Sequence, residues 1–112
     1  MTARKSKYIC CTESPNDDIT INQKTSDELA LLAKALGHPV RVHILKVLSL
    51  KESCICGEIV EQINGLAQST VSQHLKILKE AGLIRGEIEG TAVCYCIDYH
   101  GLKRLRVLIA EI

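Results

Sequence analysis

The chain has 112 residues, 46% of them apolar, with 14 basic and 13 acidic side chains and a formal net charge of +1. That length suits one domain with a modest core, and a domain so small gains from sharing apolar helices with a second copy. No apolar run approaches the roughly 18 residues of a membrane span, and no apolar stretch follows the basic start Met1–Lys7, so neither a membrane protein nor a secreted one is expected. The near-neutral balance neither demands nor excludes nucleic acid; such a role rests on where the charges sit.

Residues 1–24 show no periodicity, and Pro15-Asn16-Asp17-Asp18 reads as a turn within a flexible N-terminal arm. Thr25-Ser26-Asp27-Glu28 fits a capping box that opens the first helix, with Glu28 reaching back. Leu29, Leu32 and Leu36 then repeat at helical spacing, and Gly37 is placed to end the helix in a left-handed cap. Pro39 suits the first turn of a second helix, which carries Val40, Ile44, Val47 and Leu48 on one face and ends near Leu50. A short third helix is expected from about Cys56 to Ile63, closed by Asn64-Gly65. The fourth runs from about Gln68 to Ala81 and stops at Gly82, with Val71, Leu75 and Leu78 as its buried stripe.

At about 100° per residue, Ser69, Gln73 and Lys76 point away from that stripe. Two helices joined by a tight Gly-containing turn, the second with a polar outward face, make a helix-turn-helix. After it, Ile84 and Ile88 alternate with Arg85, Glu87 and Glu89; beyond Gly90-Thr91, Val93, Tyr95 and Ile97 alternate with Cys94 and Cys96. That is a two-stranded hairpin with period-2 burial. A last helix from about Tyr99 places Leu102, Leu105, Ile109 and Ile112 on one stripe. The plan is mostly α with a small β-hairpin, in the order α-α-α-α-β-β-α. It describes a winged helix-turn-helix domain over residues 25–112.

Six cysteines fall into three close pairs, Cys10/Cys11, Cys54/Cys56 and Cys94/Cys96. In a cytoplasmic chain cysteines tend to bind metal, catalyse or sense redox state, because disulfides are rare there. Positions two apart in a helix lie about 200° apart, so Cys54 and Cys56 can share an ion only where a helix starts, ends or distorts. On a strand the same spacing shares a face, so Cys94 and Cys96 can act together. With Val93, Tyr95 and Ile97 assigned to the core, those two thiols are expected to point outward.

The segments Lys34-Ala35-Leu36-Gly37-His38-Pro39-Val40-Arg41, Cys54-Ile55-Cys56, Gln68-Ser69-Thr70-Val71-Ser72-Gln73-His74-Leu75-Lys76 and Ala81-Gly82-Leu83 together resemble the ArsR/SmtB family of winged-helix metalloregulatory repressors. The likeness runs from about Ala33 to Tyr95. It implies a homodimer, held through its first and last helices, that binds an inverted repeat in double-stranded operator DNA and releases it on binding inducer. It also implies an inducer site at Cys54 and Cys56, with Cys10 and Cys11 of the arm as further ligands. Four such thiolates fit cadmium, lead or zinc, and three fit arsenite or antimonite. The adjacent arm cysteines most resemble arsenite-sensing members, and no organic cofactor is implied.

Asp98-Tyr99-His100 resembles half of a zinc site that some members carry on the last helix, but the other half, a late His-x-x-Glu, is absent. His38 and His43 read as surface or capping residues, and His74 as packing beside the recognition helix. For Cys94 and Cys96 a second metal site, a redox pair and a role without metal all stay open.

Ser69, Thr70, Ser72 and Gln73 suit the major groove, where hydroxyls reach phosphates or base edges and the Gln amide can pair with adenine. Lys76, Lys79 and Arg85 suit phosphates. The bland alternative is a solvated helix face. The acidic hairpin tip, Glu87-Ile88-Glu89, argues against deep insertion into the minor groove. A redox-sensing repressor on the same fold is the competing reading of the thiols. A thiol enzyme is disfavoured, since no Cys-x-x-Cys sits in a βαβ setting and no cysteine has a base and an orienting partner.

Overall fold

The structure is a computed structural model that describes residues 20–50, 54–56 and 65–112. Along the chain these form α1 (Gln23–Ala35), α2 (Pro39–Leu50), β1 (Ile55–Cys56), α3 (Gln68–Glu80), β2 (Ile84–Glu89), β3 (Ala92–Ile97) and α4 (Tyr99–Ala110). The three strands form one antiparallel sheet in the order β1-β3-β2. Most of the helix expected from Cys56 to Ile63 lies outside the described residues; Cys56 itself is on a strand.

α1 begins at Gln23, ahead of the expected Thr25. The Asn22 carboxamide oxygen accepts from the Lys24 and Thr25 amides at 2.9 and 3.4 Å, which fills the N-cap role. The Thr25 hydroxyl donates back to the Asn22 carbonyl instead of capping a helix of its own. Glu28 makes no capping box: it takes a two-pronged hydrogen bond from Arg104 of α4, both contacts at 2.8 Å. Gly37 is not left-handed either; its value lies in the close approach of the Lys34 carbonyl, 3.2 Å from where a Cβ would sit.

α3 ends as its sequence suggests. Gly82 adopts φ +83°, and the Leu83 and Gly82 amides donate to the Leu78 and Lys79 carbonyls at 3.0 Å each. This Schellman closure satisfies carbonyls that the helix end would leave open. It also turns the chain straight into β2. α4 is capped by Asp98, whose carboxylate accepts from the His100 and Gly101 amides. Gly101 then lies against the Gly82 carbonyl so closely that any Cβ there would collide with it. The hinge after α3 and the start of α4 are therefore locked together.

One apolar cluster joins these elements. Leu32 and Ala35 of α1, Ile44, Leu45 and Leu48 of α2, Val71, Leu75 and Leu78 of α3, Ile55, Ile84 and Ile97 of the sheet, and Leu105 and Leu108 of α4 are all buried in it. The stripe of α4 differs from expectation, because Leu108 is buried while Ile109 and Ile112 are exposed. Among the described residues no helix is long and apolar enough to cross a membrane.

Candidate nucleic-acid interface and thiol cluster

With Val71, Leu75 and Leu78 turned into the core, α3 must show its other side. Ser69, Thr70, Ser72, Gln73 and Lys76 are all exposed there. They line two adjoining shallow hollows, one shared by Ser69, Thr70 and Gln73, the other by Ser69, Ser72, Gln73 and Lys76. Hydroxyls, an amide and an ammonium on one helix face can donate to phosphates and read base edges together. Arg85, expected to meet phosphate, is paired with Glu87 of its own strand at 3.0 Å. Its charge is thus partly answered within the protein. The hairpin tip keeps Ile88 78% exposed beside that pair.

Arg41 links the end of α1 to α3, and sequence periodicity gives no sign of it. Its guanidinium donates to the Ala35 carbonyl at 2.7 Å and to the Lys34 carbonyl at 3.3 Å, answering the open end of α1. It also lies 3.1 Å from His74 Nδ1 on α3. Arginine can only donate, so Nδ1 is the acceptor and the ring is neutral with its proton on Nε2. Burial, with help from the neighbouring His38 and Arg41, holds the His74 pKa below its ordinary value. His38, whose Nδ1 accepts from the Val40 amide to cap α2, lies tilted against His74 with ring centres 4.5 Å apart.

The four described cysteines come together on the sheet. β1 pairs with β3 so that Ile55 faces Tyr95 and Cys56 faces Cys94. The sulfurs are joined across the strands as Cys54–Cys96 and Cys56–Cys94, with Cα atoms 4.4 and 3.7 Å apart. Cys94 and Cys96 do lie opposite the face of Ile97, but they do not point into solvent: they are 4% and 8% exposed. The two-residue strand β1, which has too few residues to show a period, brings Cys54 and Cys56 against them. Val93, expected in the core, is 41% exposed near the hairpin tip. The Glu87 carboxylate reaches this cluster too, since its oxygen and the sulfurs of Cys54 and Cys96 lie within 4.8 Å of one another. Cys10 and Cys11 lie outside the described residues.

Helices α1 to α3, the antiparallel hairpin of β2 and β3 and the closing helix α4 give the element order of a winged-helix DNA-binding regulator. Residues 38–85 match the family described as bacterial regulatory protein, arsR family. An uncharacterized HTH-type transcriptional regulator of Methanocaldococcus jannaschii is 37% identical over 77% of this chain and 96% of its own length. The HTH-type transcriptional repressor SmtB of Mycobacterium tuberculosis is 44% identical over 70% of this chain and 57% of its own. A solution structure of a homodimeric winged helix-turn-helix DNA-binding domain from Mycobacterium bovis, a possible ArsR-family regulator, superposes with a TM-score of 0.65. It is 28% identical, over 82% of this chain and 83% of that one. The chain belongs to the ArsR family of transcriptional regulators, and these relatives are regulators, not enzymes.

Proposed function

We propose that the chain is a metal(loid)-responsive repressor that binds double-stranded operator DNA as a homodimer and leaves it when cysteine thiolates take up arsenite or antimonite. The observation that carries this reading is the placement of Cys56 on β1 and of Cys54 immediately before it, ahead of α3 in the chain and packed against β3. Cys10 and Cys11 are the further donors the sequence offers. Three of these thiolates suit trivalent arsenic; all four suit cadmium, lead or zinc, which is the alternative within the same reading. The place of action is the cytoplasm, where thiols stay reduced.

Ser69, Thr70, Ser72 and Gln73 serve base edges and phosphates, with Lys76 and Arg85 on the flanking phosphates. The exposed apolar side chains Leu31 on α1 and Val107 and Ile109 on α4 support a dimer through these two helices. A two-fold dimer matches an inverted repeat. Releasing DNA 100-fold takes about 2.7 kcal/mol of coupling between the inducer and DNA sites.

Fluorescence anisotropy of the reduced protein on DNA from upstream of its own gene tests this. Arsenite should release the DNA from the natural chain and not from Cys54→Ser. Retention of DNA at saturating arsenite and cadmium alike overturns the metal reading.

The sulfur pairing favours a second reading, in which oxidation releases the same repressor. Each dithiol gives two electrons and two protons to a peroxide, which leaves as water or as water and an alcohol. Release by peroxide, with no response to arsenite under reductant, selects this one.

A further inference from the structure

We infer that Cys54, Cys56, Cys94 and Cys96 form one four-sulfur site for a thiophilic divalent cation of the cadmium or zinc class, with the wing strand supplying half of its ligands. The inference rests on the metal-responsive reading above and changes its ligand set, because Cys94 and Cys96 stand where the arm cysteines were expected to act.

Register is the first support. In an antiparallel pair, directly opposed residues alternate between wide and close Cα spacings of about 5.5 and 4.5 Å. The cysteine pairs, at 4.4 and 3.7 Å, sit at the close positions, where side chains meet. The two-residue period then puts all four sulfurs on one face of the sheet, turned from Ile55, Tyr95 and Ile97. β1 is an edge strand, and Cys54 and Cys56 are half-buried there, while Cys94 and Cys96 on the neighbouring β3 are buried. An ion can therefore enter from the edge and finish out of water.

Redundancy is the second support. A disulfide stabilises by closing a loop in the unfolded chain, and the gain grows with the logarithm of the loop length. Cys54–Cys96 spans 42 residues, and Cys56–Cys94 spans 38 of the same ones. Once either is made, the other closes a loop of a few residues and adds little. Two disulfides side by side are thus a poor use of four cysteines for stability, whereas four thiolates are the full set for one tetrahedral ion. The Glu87 carboxylate, within 4.8 Å of the Cys54 and Cys96 sulfurs, adds a negative charge beside the site that favours a cation. Because β1 is held to β3 by only two residue pairs, metal binding decides how firmly β1 is docked.

The test uses the full-length reduced protein with cadmium as the probe, followed by alkylation and mass spectrometry of each cysteine. One equivalent of cadmium should protect Cys54, Cys56, Cys94 and Cys96 together and leave Cys10 and Cys11 reactive. The sulfur-to-cadmium absorbance should survive in Cys10→Ser/Cys11→Ser. In Cys94→Ser/Cys96→Ser, cadmium affinity should fall by more than the roughly 100-fold that loss of an outer-sphere group can cost. Protection of Cys10, Cys11, Cys54 and Cys56 with Cys94 and Cys96 left reactive overturns the inference while the metal-responsive reading stands. No protection of any cysteine by cadmium overturns the inference and the divalent-cation alternative, while the arsenite reading stands or falls on its own DNA-release test. The alkylation pattern of the natural chain decides the matter even if the serine variants do not fold.

Discussion

The recognition helix and the thiol sheet are built by opposite means. α3 and its exit are local: a stripe at helical spacing, a glycine in the left-handed region and two closing hydrogen bonds fix Gln68–Leu83. The sulfur cluster is wholly non-local, made from pairs some forty residues apart on strands that mean little alone. A segment specified locally can keep its shape while its surroundings change. One specified by long-range pairing can be undone by whatever breaks the pairing. The difference suits the repressor proposed above, in which α3 reads DNA and the thiol sheet responds to the inducer.

The comparison can be broken most severely at the core shared by both regions. Leu78 is 0% exposed, and Leu78→Ala should cost about 2–5 kcal/mol, read as a fall in the urea midpoint. Gly101→Ala drives a methyl into the Gly82 carbonyl and should cost about 1–3 kcal/mol, seen as a lower Tm, because α4 must retreat from the hinge after α3. Gln73→Ala should leave that Tm unchanged and weaken operator binding, by about 1–3 kcal/mol if the amide reads a base, as measured by anisotropy against a scrambled site. An equal loss on both DNAs would make Gln73 a backbone contact. Asn22→Ala removes the α1 cap and should cost about 1 kcal/mol in the same melts.

The smallest expected effect is a pH dependence. The His74 pKa is held down in the folded chain, so the unfolded chain takes up the proton first. The neutral ring's contribution is complete above about pH 6.5 and is lost as the pH falls below it. Urea midpoints measured down from neutral pH should therefore decline, and the His74→Gln variant should flatten that part of the curve.

How much of this was legible in the sequence follows the same division. The helix stripes, the Gly82 stop, the hairpin and the polar face of α3 could be read because each is a pattern within a dozen residues. β1 could not: two residues have no period, and only pairing with β3 makes Ile55-Cys56 a strand. Without β1, Cys94 and Cys96 could be assigned to the correct face but not to burial. Glu28 invited a capping-box reading since its partner Arg104 lies 76 residues away. Arg41 shows no periodic signal, as its partners are two carbonyls and a ring on other helices.

The central claim is that binding at the sheet thiols is felt in the helix-turn-helix. Hydrogen exchange on the reduced, DNA-free protein, with and without saturating cadmium, tests it most directly. Cadmium should alter protection across residues 54–80, centred on β1 and reaching the start of α3. Unchanged exchange throughout that stretch, with cadmium demonstrably bound, would contradict it.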